Sequence, residues 1–327
     1  MRKMLNILTA ASAALLLAAA VHAAKGKPGA AGAKAAPARI LTGHRAAVEA
    51  VAVSPDGQYA ASAGLDTNVA LWNVKTGKVK KVMVAHTDAV WGVDFSADGD
   101  YLASLGNQTI EVWKVPSGAN FKTIPGQSFS MYGVKFSPNA DYVASGGYNS
   151  IGVWSFPAGD SIHTMKSEME NVYSIAVGPN GSYIIAGAGN GTVTVWNVAD
   201  SKLLKTIQAH KEPVRSVAVT SDGSYAVSAS MDGTVKVWRL SDGKLMNTLK
   251  AHEGGARAVA VSPDNRSIAS GGMDSLIKIW KLAGTGQKPV RQLAGHTDSV
   301  ESLAYFPDGK SLLSGSKDKT VRIWKLK

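Results

Sequence analysis

Residues 210–238 read HKEPVRSVAVTSDGSYAVSASMDGTVKVW: two short apolar runs, two polar turns and an alternating Val-x-Val-Trp close. The pattern recurs along most of the chain. Its closing tryptophans fall at Trp72, Trp113, Trp154, Trp196, Trp238, Trp280 and Trp324, 41 to 44 residues apart, so there are seven units. Runs this short, with side chains alternating between faces and bounded by turns such as Ser221-Asp222-Gly223, are strands. A fixed period near 40 residues made of short strands is the signature of an all-β propeller built blade by blade. A parallel β-helix needs a much shorter period, and a helical solenoid needs apolar residues every three or four positions.

Particular residues of the unit also resemble the WD-repeat family. That family carries Gly-His near the start of its unit and Trp-Asp near the end; here Gly43-His44 and Gly295-His296 match, with Ala-His at His86, His210 and His252. The residue after each closing Trp is Asn, Lys, Ser or Arg, never Asp, a departure at the variable half of the family's dipeptide. The resemblance covers residues 38–327 and implies one seven-bladed β-propeller of four-stranded antiparallel blades. It implies a closure as well. The segment 38–42, ARILT, precedes the first Gly-His as KTIQ and NTLK precede later units, so it is expected to be the fourth strand of the last blade, which otherwise stops three residues past Trp324.

Composition bounds the rest. With no cysteine, disulfides, thiolate metal sites and thiol nucleophiles are excluded. The formal charge of +11 raises the question of an acidic partner. Many of the lysines, including Lys75, Lys78, Lys80, Lys81, Lys202, Lys205, Lys244, Lys250 and Lys281, fall at the turn after the Trp strand or on the next strand, the outer edge of a blade. They read as solvated charges that discourage strand addition. Basic and aromatic residues do not interleave on one strand, so nucleic acid is not an expected partner. No two histidines stand at metal-ligand spacing, no phosphate- or dinucleotide-binding Gly pattern opens a helix, and no cofactor is expected.

Four units carry His, Ser, Asp and Trp at one spacing: His44, Ser62, Asp66, Trp72; His210, Ser228, Asp232, Trp238; His252, Ser270, Asp274, Trp280; and His296, Ser314, Asp318, Trp324. A hydrolytic triad would use the first three types, but it needs one activated hydroxyl beside one oxyanion hole, and four identical copies are scaffolding. The resemblance implies a buried hydrogen-bond chain at these positions, which fits their donors and acceptors. The middle units depart from it. Unit two keeps His86, Ser104 and Trp113 with Asn107 near the acidic position; unit three has Gln127 and Tyr148; unit four has Glu168, Ala186 and Asn190. Drift in incomplete blades accounts for this, as does a functional specialisation of the same blades.

Five residues after each His position stand Glu49, Trp91, Tyr132, Tyr173, Arg215, Arg257 and Glu301. The resemblance places this position on the rim of the central opening, on the top face, where Leu65, Met231, Met273 and Lys317 would join it. Aromatics, Met and Arg are the types enriched at the centres of interfaces. The same ring of side chains could equally plug the channel mouth. The expected function is a non-catalytic scaffold that binds a protein or peptide in the cell envelope through this rim. The other class is an enzyme or a small-ligand or metal receptor using the central channel, with Glu49 and Glu301 as its acidic groups.

The chain opens with MRKMLNILTAASAALLLAAAVHAAK: a basic start, an apolar segment to about Ala20, and small residues around Ala23. This reads as a secretory signal peptide over 1–23, followed by an Ala/Gly/Lys-rich tether over 24–37. The apolar run is short for a spanning helix, so no stable membrane span is expected after cleavage. The short Ala-rich leader and the missing cysteines point to the bacterial periplasm, where the protein is expected to be a monomer. Losing Arg2 and Lys3 takes the charge from +11 to +9. N-terminal sequencing of exported material should begin at Ala24, with Lys25 as the near alternative; a chain still starting at Met1 contradicts the leader.

Overall fold

The computed structural model describes residues 37–84, 86–106, 108–126, 131–284 and 288–326, with the backbone alone described at 167–169. The expected leader and nearly all of the tether lie outside the described residues. Blade five shows the local logic. Strands Val214–Val219, Tyr225–Ser230, Thr234–Arg239 and Leu245–Lys250 run antiparallel in that order from the axis outward. Both faces of the second strand are covered by neighbouring blades, so five of its six residues are buried and its sequence, YAVSAS, is small and apolar. The outermost strand shows only Leu249 fully to the interior.

The first turn of a blade is set by local chemistry. Gly57 N–H donates to Ser54 O at 2.8 Å, and the Asp56 carboxylate accepts from Ser54 Oγ at 2.6 Å and from the Gln58 N–H at 2.9 Å. Gly57 has φ of 69°, which a residue without Cβ adopts at little cost.

Blades three and four are joined more closely than the rest. Five sheets have four strands each, while strands Tyr142–Ser155 and Ser161–Val177 run on into one larger sheet. Each of these long strands contains two arms, with Asn149 and Glu170 in the left-handed region at φ of 51° and 58° where the chain changes direction. The second of them is the join: 161–166 is the outer arm of blade three and 172–177 the inner arm of blade four. Counting arms, the larger sheet is two blades, and the total is seven blades of four antiparallel strands.

The ring closes as the ARILT segment implied. Arg39–Thr42 pairs antiparallel with Thr320–Ile323, Leu41 opposite Val321. Leu41 enters a core shared by the last and first blades, with Leu313 and Val321 on one side and Val48, Ala60 and Trp72 on the other. Among the described residues seven such apolar cores occur, one at each junction, so the closing junction is packed like the others.

The outer lysines need one correction. Lys75, Lys78, Lys80, Lys81, Lys202, Lys244, Lys250 and Lys281 are exposed, but Lys205 is partly buried. Its Nζ donates to Leu240 O at 3.1 Å and Ser241 O at 3.2 Å, on the turn of the next blade. Arg39 does the same to Val74 O and Lys75 O at 2.9 and 2.8 Å, and Asn247 donates to Gly284 O at 2.9 Å. These side chains are clasps between blades, because the outer turns offer carbonyls that no strand partner satisfies.

Leu41 is 1% exposed and Ile40 beside it 50%. Leu41→Ala should therefore cost about 2–5 kcal/mol and Ile40→Ala less than about 0.5 kcal/mol in denaturant unfolding. Equal effects would mean that the first strand does not close the ring.

Candidate functional site

The polar quartets are hydrogen-bonded chains. In blade seven, His296 Nδ1–H donates to Asp318 at 2.7 Å, Ser314 Oγ–H donates to His296 Nε2 at 2.7 Å, and the Trp324 indole N–H donates to Ser314 Oγ at 2.8 Å. Blades five and six repeat this from His210 and His252 within 2.7–2.9 Å. In blade one His44 lies 3.0 Å from either oxygen of Asp66, Ser62 lies 2.7 Å from His44, and the Trp72 indole is 2.8 Å from Ser62. Ser62, Ser228, Ser270 and Ser314 are all 0% exposed, and each hydroxyl is already engaged on both sides. None can meet a substrate.

Burial alone would raise Asp318, but hydrogen bonds from His296, Thr320 and the Thr297 N–H outweigh it and hold the carboxyl well below its usual range. Burial pushes His296 down, against the opposing pull of Asp318, and His210 behaves alike with Asp232.

The middle blades depart in ways that the side chains explain in part. Blade two keeps the His86–Ser104 contact at 2.8 Å and the Trp113–Ser104 contact at 2.9 Å. Asn107 and Gln127, and the side chain of Glu168, lie outside the described residues. Tyr148 is 60% exposed and does not fill an acidic position in the interior. In blade four Ala186 is fully buried, and Trp196 donates instead to Thr194 Oγ1 at 2.9 Å. Asn190 accepts from Thr192 Oγ1 at 2.6 Å, as Asp232 does from Thr234 at 2.6 Å. The signal for this substitution was the Thr two residues before the closing Trp.

The rim positions come together around one cavity at the inner end of the blades, about 160 Å³, lined by Glu49, Trp91, Tyr132, Tyr173, Arg215, Arg257 and Glu301. What aims them inward is a β-bulge. The pairing of the innermost strand slips between Val48 and Ala50, Met131 and Gly133, Val172 and Ser174, Val214 and Ser216, Ala256 and Ala258, and Val300 and Ser302. In each of these six blades the skipped residue is the rim residue. A bulge leaves its extra residue unpaired and redirects the side chain.

Around the ring the aromatics touch in sequence. Trp91 and Tyr132 meet edge to face with centroids 5.7 Å apart, Tyr132 and Tyr173 lie 5.0 Å apart, and the Arg215 guanidinium sits over Tyr173 at 4.0 Å. Arg257 follows, 3.6 Å from Glu301, with its Nη2 3.9 Å from Met273 Sδ. Met273 is 42% and Leu65 41% exposed, Met231 is partly buried against Gly255, and Lys317 lies 3.8 Å from Glu301. Burial, with the Glu301 charge second, pushes Glu49 up to about 7; Lys317, Arg215 and Arg257 oppose this. Among the described residues no group of three or more His, Cys, Asp or Glu stands close enough to hold a metal ion.

Seven consecutive stretches, 35–73, 77–114, 118–155, 159–197, 201–239, 243–281 and 287–325, match the family described as WD domain, G-beta repeat. The chain belongs to that family. Its repeats commonly mediate protein–protein scaffolding and are generally non-catalytic. No curated protein matches the chain. No helix among the described residues is long and apolar enough to cross a membrane.

Asp232→Ala should destabilise the fold by about 1–3 kcal/mol, since it removes the near acceptor of the buried His210 donor and leaves only Thr234 Oγ1 at 3.2 Å. The quartets also set a pH dependence. His210 and His296 are depressed, so the unfolded chain takes up protons first, and stability drops as pH falls below about 6.5. Asp318 is depressed too, so a further loss follows below about pH 4. Melting temperature against pH should fall through both windows, with the lower one reduced in Asp318→Asn; a flat profile from pH 7 to pH 4 contradicts the buried chains.

Proposed function

We propose that the protein is a non-catalytic scaffold that captures a protein or peptide partner on the top face, around Trp91, Tyr132, Tyr173, Arg215 and Arg257. One observation carries the reading: three aromatic rings and an arginine stack in unbroken contact around the channel mouth, each partly exposed. Large rings with few rotatable bonds, next to guanidinium groups, are the side chains that concentrate binding energy at interfaces. The quartet serines, being buried and doubly bonded, do not serve as nucleophiles. Use of the channel for a metal would rest on Glu49 and Glu301 alone, two carboxylates where a bound cation takes more donors.

The setting proposed is the bacterial periplasm, supported by the basic, apolar and small-residue order of the first 23 residues. The protein acts there as a monomer, facing a partner of the cell envelope. Affinity capture from envelope extract should recover a partner with the wild-type chain and lose at least about tenfold of it with Trp91→Ala/Arg215→Ala. Equal recovery of every partner would move the binding surface elsewhere.

A further inference from the structure

Charged side chains converge at the channel mouth without satisfying one another. The Glu301 side chain is 4% exposed, 3.6 Å from Arg257 Nη1 and 3.8 Å from Lys317 Nζ, separations longer than a hydrogen bond. Glu301 Oε1 and Arg257 Nε are buried atoms with no hydrogen-bond partner among the described residues. Arg215 lies over the Tyr173 ring, and among the described residues no carboxylate comes within ion-pairing distance of it. Burial, and after it the adjacent Arg257, disfavours the charged form of Arg215. Arg257 and Lys317 thus share the Glu301 carboxylate at long range, Arg215 has none within pairing distance, and both guanidiniums border a cavity.

A second carboxylate would complete this arrangement, because its two oxygens match the fork of a guanidinium and its charge offsets the crowded cations. The cavity of about 160 Å³ sets the scale. A space of about 150 Å³ holds one six-atom ring, so an acidic side chain fits where a strand or helix does not. We infer that the channel mouth receives an Asp or Glu side chain of the partner chain, held by Arg215 and Arg257 with the residue beside it packed on the Trp91–Tyr132–Tyr173 arc. This rests on the scaffold reading above and gives its partner a chemistry: an acidic residue next to an apolar or aromatic one.

Glu49 makes the site sensitive to pH. It faces Glu301, Lys317, Arg215 and Arg257, and it titrates near pH 7. Below that pH it is neutral and leaves the arginines to the incoming carboxylate. Above it, Glu49 adds a like charge and competes for the same guanidiniums, so affinity for an acid falls as pH rises.

The test is calorimetric titration of the full chain with N-acetyl-glutamate amide, with N-acetyl-glutamine amide as the neutral isostere and inorganic phosphate as a plain anion. The acid should bind saturably, at least about tenfold tighter than the amide, and should weaken by about tenfold in Arg215→Gln or Arg257→Gln. Binding should weaken from about pH 6 to about pH 8, and Glu49→Gln should raise affinity at about pH 8, a check that survives if the arginine variants fail to fold. Equal binding of acid and amide, binding of phosphate only, no binding of any probe, or a pH profile unmoved by Glu49→Gln would overturn the inference. A captured partner that is lost in Trp91→Ala but kept in Arg215→Gln would overturn it while leaving the scaffold reading intact. Carboxylate binding with no rim-dependent partner would support the site and sink the scaffold reading.

Discussion

A buried serine hydroxyl beneath the closing tryptophan of blades one, two, five, six and seven fixes most of this structure. In blades one, five, six and seven it accepts from the closing tryptophan and donates to a histidine, which donates in turn to an aspartate. Those four residues come from the loop before the first strand, the second strand, the turn after it and the third strand. Because the hydroxyl is shut off from water, a displaced partner strands a polar group, and the four segments are positioned together. Repetition of that arrangement sets the pitch at which blades meet. The ring can then be closed by a strand from the other end of the chain, with an apolar core at the closing junction like those at the other six.

A scaffold held in this way leaves other positions free to vary. The bulged residue of the innermost strand is one, since no residue of the partner strand stands opposite it to restrict its side chain. Around the ring that single position changes from acid to aromatic to arginine and back to acid. The aromatic run coincides with blades two, three and four, the ones whose quartets are incomplete or replaced. In blade four Thr194 takes over the role of the missing serine toward Trp196, so the indole remains satisfied even where the pattern is lost. Loss of the repeat's signature therefore did not mean loss of its packing.

Much of this was legible in the amino-acid order, and the reasons are particular. Seven tryptophans at a near-constant interval count the blades, and ARILT before Gly43 resembles the segments before later units closely enough to indicate the closure. The rim residues stand at one fixed distance after each His position, and the family resemblance implied that this position borders the opening. Their approach to one another was not legible, because a β-bulge leaves no mark in composition: Glu49 and Arg215 sit in apolar runs that read as ordinary strands. The same limit applied to Lys205. Its place on an outer strand suggested a solvated charge, and only the position of the next blade's turn makes it a clasp. Likewise, the mismatch of charges at the channel mouth depends on separations between blades some 40 residues apart in sequence.

Buried polar chains and a last blade shared between the two ends of the chain tie the ring into a single cooperative unit. Hydrogen exchange of the indole N–H groups reads this directly, since Trp72, Trp113, Trp196, Trp238, Trp280 and Trp324 each donate to a buried hydroxyl. All six should be strongly protected and should exchange with one common opening free energy, while the rim residue Trp91 exchanges fast. A gradient of protection along the chain, with the first and last blades opening well before the middle ones, would mean that the ring is an open array and would contradict the account.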